Sequence, residues 1–209
     1  SLDARKKDDI HYVCAAAFEL EGEEKLLKRL KSPDVSTYEP PEYTIEEITP
    51  CEKRPVIVGF GPAGMFAALV LSMSGARPIV LERGQDAVSR KAAVEKFRSG
   101  GRLDTENNVQ FGEGGAGTFS DGKLNTGTKD RRISWVLQQF ALHGAPESIV
   151  YDAKPHIGTD ILVDVVQNIR RSVTEHGGEL RSGHRMEALL TEGGMLRGVR
   201  VHAGGEDYV

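Results

Sequence analysis

The fold is decided by residues 56–76, "VIVGFGPAGMFAALVLSMSGA". An apolar run typical of a buried strand passes through Gly59, Gly61 and Gly64 into a long helix-like segment. In the pattern G-x-G-x-x-G the first glycine permits a tight turn and the second lets a pyrophosphate approach the backbone. The third allows the helix to pack closely on the strand. Residues 59–64, the dinucleotide turn, therefore predict a nucleotide phosphate site.

The start of the helix suits a negatively charged ligand. Pro62 lies in the first helical turn, where its missing N–H has no use. The free amides that follow, at Ala63 and Gly64, attract an anion together with the helix dipole. Glu82 ends the next apolar run, where a carboxylate would accept hydrogen bonds from the ribose of an adenosine. These features favour a nucleotide site over a chance glycine-rich turn, and Glu82 disfavours NADP because a carboxylate repels a 2′-phosphate.

The remainder of residues 51–209 predicts an α/β domain. Continuous apolar runs at 55–59 and 77–83 indicate two fully buried parallel strands. Helices are expected at 62–74 and, behind an Asp86 cap, at 87–98. Two amphipathic helices, a strand and a hairpin follow. The inward positions of these helices are Ile133, Val136, Leu137 and Phe140, then Leu162, Val165, Val166, Ile169 and Val173; the strands are expected at 179–181, 186–190 and 196–201.

Residues 1–50 follow a different pattern. A strand is predicted at 10–18 and a short amphipathic helix at 22–31. A proline-stiffened link then leads to a second short strand at 43–48. These elements make part of a small α+β module of the ferredoxin-like kind, and we place the domain boundary between residues 50 and 51.

Composition excludes several classes of protein. The 209 residues carry a formal net charge of −4 without a basic patch, which argues against a nucleic-acid partner. No apolar run approaches the ~18 residues of a membrane span, and no signal peptide is evident, so a cytoplasmic location is expected. Cys14 and Cys51 have neither redox nor metal spacing and are expected to be reduced. The six histidines are scattered, so no metal site is expected.

A second glycine-rich stretch is the most unusual part of the chain. Residues 107–127, "NNVQFGEGGAGTFSDGKLNTG", form what we call the glycine loop. Backbone with so few Cβ atoms can lie against a flat ring or offer N–H groups to an anion, although a flexible surface loop is the alternative. Lys123 could place a positive charge near a flavin ring. Glu113 and Asp121 are candidate acid–base groups, and His156 is a candidate contact for substrate or flavin.

Two strings of the sequence resemble a known group of proteins. "NVQFGEGGAGTFSDGKL" (108–124) and "YDAKPHIGTDIL" (151–162) are similar to bacterial FAD-dependent dehydrogenases of the glutathione-reductase-type superfamily, which are distantly related to families containing geranylgeranyl reductases. The resemblance implies a three-layer FAD/NAD(P)-binding, Rossmann-like domain. It also implies a later strand and a flavin-contacting motif beyond Val209. We therefore expect the N-terminal portion of a longer protein, with an incomplete sheet and the rest of that chain as its partner.

Residues 56–83 also resemble the N-terminal signature of FAD-dependent oxidoreductases of the glutathione-reductase type, at Ala67, Gly75, Glu82 and Arg83, and this favours FAD over NAD. The resemblance further implies which residues hold the cofactor. The ADP half would be bound around the dinucleotide turn and the end of the second strand. Arg90 and residues 114–123 of the glycine loop would approach the pyrophosphate and the isoalloxazine ring. The residues concerned are Gly59, Gly61, Pro62, Ala63, Gly64, Glu82, Arg83, Arg90, Gly114, Gly115, Gly117, Thr118 and Lys123.

Three functions remain open from the sequence. The first is an FAD-dependent oxidoreductase that passes hydride through flavin N5 to or from an unidentified small molecule, with NADH or NADPH as a second cofactor. Its catalytic acid or base is unassigned, and these 209 residues alone are expected to be inactive. The second is a non-catalytic flavin- or nucleotide-binding sensor or scaffold. The third is an NAD-binding dehydrogenase.

Overall fold

The computed structural model describes residues 2–40, 42–49, 52–120 and 122–209. It divides the chain into two compact units, the first ending at Glu42 and the second beginning at Tyr43. The domain boundary placed after residue 50 stays a prediction. Two residues singled out above, Cys51 and Asp121, lie outside the described residues, whereas Cys14 is an exposed free thiol.

The first unit contains little regular structure. Strand β1 (Leu2–Asp3) pairs antiparallel with β2 (His11–Tyr12), and helix α1 spans Glu23–Leu30. The helix confirms the prediction at 22–31. The strand predicted at 10–18 is wrong beyond β2, because the segment that follows has no neighbouring strand with which to form a ladder, and β-branched content favours a strand only where such a partner exists.

The strand predicted at 43–48 is also wrong. This segment belongs to the second unit, where Tyr43 and Ile45 pack against the hydrophobic core and the Ile48 amide donates to the Ser74 carbonyl at 3.0 Å. Only the half-buried Tyr43 and Ile45 alternate with an exposed Thr44, and residues 46–49 are all exposed. The alternating pattern therefore reflects packing on one face, and no strand is formed there.

A parallel sheet forms the centre of the second unit. Its strands are β3 (Val56–Val58), β4 (Ile79–Glu82) and β5 (Glu179–Ser182), in the order β3-β4-β5. All three predicted strands are therefore present, and the pairs are parallel. The expectation that β3 is fully buried is wrong: Val56 and Val58 are 44% and 53% exposed. β3 lies at the edge of this sheet, and only Ile57 of its residues packs against the core.

Four helices connect the strands of this sheet along the chain. They are α2 (Pro62–Met73), α3 (Ala87–Arg98), α4 (Arg132–Leu142) and α5 (Thr159–Glu175). The Asp86 side chain caps α3 as predicted, accepting from the amides of Val88 and Ser89 at 3.0 and 3.1 Å. All five apolar residues of α5 that were expected to face inward are buried. Periodicity and capping thus located α2 and α3 within one residue of their observed ends.

An antiparallel sheet ends the chain. It comprises β6 (Arg185–Glu192), β7 (Met195–Ala203) and β8 (Glu206–Tyr208), and β6 contacts β4. The predicted hairpin is confirmed, with its turn at Gly193 and Gly194. Strand β8 was not predicted. The complete three-layer arrangement stays a prediction.

The core of the second unit joins the dinucleotide turn to the later helices. Phe60, Met65 and Leu69 lie in one buried cluster with residues of α4 and α5. Phe66 packs edge-on against Phe140 and Trp135, with ring centroids 5.1 and 6.0 Å apart. Both Trp135 and Phe140 are therefore core residues of α4, as expected for Phe140. No helix in the described part of the chain is long and apolar enough to cross a membrane.

Candidate functional site

The dinucleotide turn has the geometry that its three glycines predict. Gly59 adopts a positive φ of 89°, and its amide donates to the Leu81 carbonyl at 2.8 Å, so the chain turns sharply at the end of β3. A Cβ at Gly64 would collide with the carbonyl oxygen of Gly59, which shows how closely α2 packs on the strand. Within the described residues the amides of Ala63 and Gly64 have no acceptor outside the helix, as the first turn of a helix requires. They remain available to an anion.

The glycine loop lies directly on the dinucleotide turn. The Gly114 amide donates to the Phe60 carbonyl at 2.8 Å. A Cβ at Gly115 would lie 3.0 Å from the Cα of Gly61 and 3.2 Å from the Cδ of Pro62. The dinucleotide turn and the glycine loop, which are distant in sequence, are therefore in backbone contact.

Glu82 connects three backbone segments. Its Oε2 accepts from the Phe60 amide at 2.8 Å, and its Oε1 accepts from the amides of Gly84 and Gly112 at 2.9 and 3.0 Å. The residue is only 4% exposed. Because a carboxylate offers about four acceptor positions, one position on Oε2 is left for another donor. Binding of a ribose hydroxyl by Glu82 stays a prediction.

Arg90 binds the backbone carbonyl groups of the glycine loop. Its guanidinium donates to the carbonyls of Asn108, Val109, Glu113 and Gly115 at 2.7–2.8 Å. The side chain is fully buried, and its central carbon lies 4.7 Å from the centre of the Phe119 ring. Burial lowers the pKa of Arg90 to about 10, against the opposing effect of Glu82 and Glu113. Four carbonyls thus engage the guanidinium that we expected near the pyrophosphate, and contact with a cofactor stays a prediction.

Glu113 is a buried acid in the glycine loop. Its Oε2 accepts from the Ala87 amide at 2.7 Å and from the Arg170 guanidinium at 3.1 Å. Its Oε1 is buried without a hydrogen-bond partner among the described residues. Burial raises the pKa of Glu113, with added repulsion from Asp86 and Glu82, although the Ala87 amide and Arg170 work in the opposite direction. The sequence marked Glu113 only as a candidate acid–base group and gave no sign of these partners.

Arg83 faces the first part of the glycine loop. Its guanidinium donates to Glu106 at 2.9 and 3.1 Å and lies 3.9 Å above the centre of the Phe111 ring. Glu106 also accepts from Arg185 at 2.8 Å. Glu106 and Arg185 were not identified from the sequence, because neither belongs to a recognisable motif.

The two strings that carry the resemblance meet in the structure. Lys123 and His156 form an isolated antiparallel bridge, flanked by hydrogen bonds from Leu124 to Pro155 at 2.9 Å and from Ile157 to Gly122 at 3.0 Å. The side chains of Lys123 and His156 are exposed. Earlier in the loop, Gly117 and the buried Thr118 lie in a single 3-10 turn, Ala116–Phe119. The structure thus brings Gly61, Glu82, Arg90, Gly114 and Gly115 into one contact network, while Lys123 lies opposite His156.

In the described residues no group of three or more His, Cys, Asp or Glu side chains is arranged to hold a metal ion.

Comparison with known proteins identifies a relative that this chain matches only over part of the relative's length. No protein-family profile matches the chain. A protein of Clostridium beijerinckii described as "Uncharacterized protein" is 47% identical over 207 residues, which cover 97% of this chain and 38% of that protein. The chain therefore spans well under half the length of this relative.

Similarity to solved structures is weaker. THI4 of Thermovibrio ammonificans has a TM-score of 0.43 and 19% identity, over 72% of this chain and 47% of its own. The flavin-dependent monooxygenase PieE, solved with FAD and substrate, has a TM-score of 0.42 and 20% identity, over 77% of this chain and 29% of its own. L-proline dehydrogenase from P. horikoshii has a TM-score of 0.36 and 15% identity, over 73% and 50%.

Proposed function

We propose that the chain is the nucleotide-binding portion of an FAD-dependent oxidoreductase. The observation that carries the proposal is the contact between the dinucleotide turn and the glycine loop at Gly61 and Gly115. Two open amides, at Ala63 and Gly64, lie at the start of a helix whose first turn bears no side chain that could cap them. Such a helix start is suited to a pyrophosphate.

The residues present fit a dinucleotide. Gly61 has no atom closer than 3.7 Å to the position that a Cβ would occupy, so the space beside its backbone is available to a ligand. In the proposed complex the amides of Ala63 and Gly64 bind the pyrophosphate, and the free acceptor position of Glu82 binds the ribose. The glycine loop, held by Arg90, excludes water on the side of Gly115. Lys123 supplies a positive charge toward the flavin end.

When bound, FAD supplies the hydride chemistry at its N5 atom. The part of the chain described here orients the cofactor and provides fixed charge, which is the usual contribution of a protein to flavin chemistry. NADH or NADPH is the proposed electron donor, and the substrate is a small molecule.

The test is analysis of the cofactor released from the purified full-length protein by mass spectrometry. We expect FAD at about one molecule per chain, in line with a single dinucleotide turn. Release of NAD without flavin would favour the dehydrogenase alternative, and absence of any nucleotide after reconstitution would contradict the proposal. Flavin that binds but is not reduced by NADH or NADPH would favour the sensor.

A matched pair of variants locates the site. Gly61→Ala places a methyl group at an ordinary contact distance of 3.7 Å from the Gly115 Cα, at a φ of −76° that alanine adopts freely, so the variant should fold normally. It should nevertheless lose FAD, because the methyl group blocks the approach of the pyrophosphate. Gly198→Ala in β7 adds a methyl group at an ordinary contact distance of 3.5 Å and should retain FAD. Full retention of FAD by Gly61→Ala would refute the placement.

A further inference from the structure

One buried carboxylate oxygen lacks a hydrogen-bond partner. Among the described residues, Oε1 of Glu113 is the only buried side-chain nitrogen or oxygen in this condition, and Glu113 is fully buried. Its other oxygen, Oε2, already accepts from the Ala87 amide and from Arg170. A buried ionised oxygen without a donor carries a large desolvation cost. A proton placed on Oε1 would remove that charge without breaking either existing hydrogen bond.

The charged groups that act on Glu113 and Arg90 come from three elements. Arg170 is contributed by α5, Asp86 and Arg90 by the cap and body of α3, and Glu82 by the end of β4. With Glu113 ionised, three carboxylates face two guanidinium groups. With Glu113 neutral, two carboxylates face two guanidinium groups, and the cluster is balanced.

The backbone of Glu113 lies at the contact between the glycine loop and the dinucleotide turn. The Glu113 amide donates to the Gln85 carbonyl at 3.0 Å, and its carbonyl accepts from Arg90 at 2.8 Å. The amide of the next residue, Gly114, donates to Phe60 in the dinucleotide turn. Any movement that brings the Glu113 side chain into water must therefore displace the loop from the turn.

We propose that Glu113 is a positioning residue that takes up a proton on Oε1 when the glycine loop closes on the dinucleotide turn, so that binding of the anionic dinucleotide is linked to protonation of this buried acid. The inference rests on the proposed function. A dianionic pyrophosphate brought beside the cluster disfavours a further negative charge at Glu113. Ligand and proton therefore strengthen each other's binding, as linkage requires. The proton comes from solvent and returns to it when the loop opens.

The direction of the pH effect follows from the burial. The closed loop holds Glu113 in a desolvated position that raises the pKa of its carboxyl, whereas an open loop exposes the carboxyl to water and lowers the pKa toward its ordinary value. The closed state therefore binds the proton more tightly, and rising pH favours opening. Dinucleotide affinity should fall with rising pH, by at most about tenfold per pH unit for a single proton.

The experiment is calorimetric titration of FAD into the flavin-depleted full-length protein, in two buffers of different ionisation enthalpy, from about pH 5, just above the ordinary glutamate pKa, to about pH 8. The expected result for the wild type is net proton uptake on binding and weaker binding at higher pH. Glu113→Gln, which resembles the neutral acid, should bind FAD at least as tightly with reduced proton uptake and a flatter pH profile. Glu95→Gln, an exposed acid on α3, should behave as the wild type. Proton uptake by Glu113→Gln equal to that of the wild type would overturn the proposal, and so would weaker binding by that variant at every pH.

Hydrogen exchange of the flavin-depleted protein separates this inference from the proposed function. After correction for intrinsic rates, exchange at residues 112–118 should accelerate with rising pH in the wild type by about tenfold and stay slow in Glu113→Gln. This result would support proton-linked loop closure even if the protein bound no flavin, in which case the proposed function would fail alone. Exchange that is independent of pH in the wild type would refute the role of Glu113.

Discussion

Gly115 packs against Gly61 so closely that a Cβ on Gly115 would lie 3.0 Å from the Gly61 Cα. This contact joins the glycine loop to the dinucleotide turn across 54 residues of sequence. It involves backbone on both sides, but only one of the two residues is too tightly packed to be enlarged: a Cβ on Gly115 would also lie 3.2 Å from the Cδ of Pro62, whereas a Cβ on Gly61 would lie at an ordinary 3.7 Å from the Gly115 Cα. The contact explains why a glycine-rich stretch far from the nucleotide motif is part of the same site.

Gly115→Ala should destabilise this contact. The residue has a φ of 63° and a ψ of −166°, a conformation that is essentially restricted to glycine and costs another residue about 1–3 kcal/mol, and the added Cβ would press on Gly61. We expect a lower free energy of unfolding, measured by denaturant titration, and weaker flavin retention. Gly127→Ala, where a Cβ would meet no atom within 4 Å, is the control for stability. Equal stability of the two variants would show that the loop does not rest on the turn.

Glu82→Ala tests whether this carboxylate is structural as well as ligand-binding. The substitution leaves the amides of Phe60, Gly84 and Gly112 without their acceptor, so the free energy of unfolding should fall by about 3 kcal/mol. Glu192→Ala, at a side chain that is 79% exposed, should cost about 0.5 kcal/mol or less. A Glu82→Ala protein as stable as the wild type that has lost only flavin would assign the carboxylate to the ribose alone.

Arg90→Lys should be poorly tolerated although the charge is kept. A lysine has neither the planar fork nor the number of donors needed to reach four carbonyls of the glycine loop. Loss of these buried hydrogen bonds should lower the free energy of unfolding by about 2–4 kcal/mol, and the melting temperature should fall with it. Arg83→Lys, at a partly exposed ion pair with Glu106, should cost less than about 1 kcal/mol. A similar melting temperature for both variants would contradict the structural role of Arg90.

Asp86→Ala should lower the free energy of unfolding by about 1 kcal/mol, because the Asp86 side chain caps α3. Burial raises the pKa of the Asp86 carboxyl, but the hydrogen bonds from Ser89 and Val88 and the charge of Arg170 outweigh it, and the pKa is lowered overall. The folded state therefore favours the ionised form. The stabilisation is present above the ordinary aspartate pKa and is lost as the pH falls through the lowered value. The difference in unfolding free energy between wild type and Asp86→Ala, followed from neutral to acidic pH, should shrink toward zero; a constant difference would exclude the carboxylate as the cap.

Local signals in the sequence were sufficient for the βαβ unit that contains the dinucleotide turn. The strand–turn–helix pattern around Gly59 and Gly64, the Asp86 cap and the apolar stripe of α5 all involve neighbours within one or two helical turns. Such features are set by backbone geometry and by the periodicity of helices and strands. The strands predicted at 10–18 and 43–48 were largely wrong for the complementary reason: β-branched and aromatic content indicates a strand only when another strand lies beside it.

Only the tertiary structure decided how the charged side chains are used. Glu82 accepts from Gly112, 30 residues away, and Glu113 accepts from Arg170, 57 residues away. Neither pair has a period, a motif or a local geometry that could reveal it, because chain folding alone brings the partners together. The sequence by itself determined that a dinucleotide turn exists and where its helix begins. The packed structure determined that the glycine loop closes on that turn, that Arg90 and Glu82 hold it there, and that Glu113 is left with a buried oxygen facing no donor.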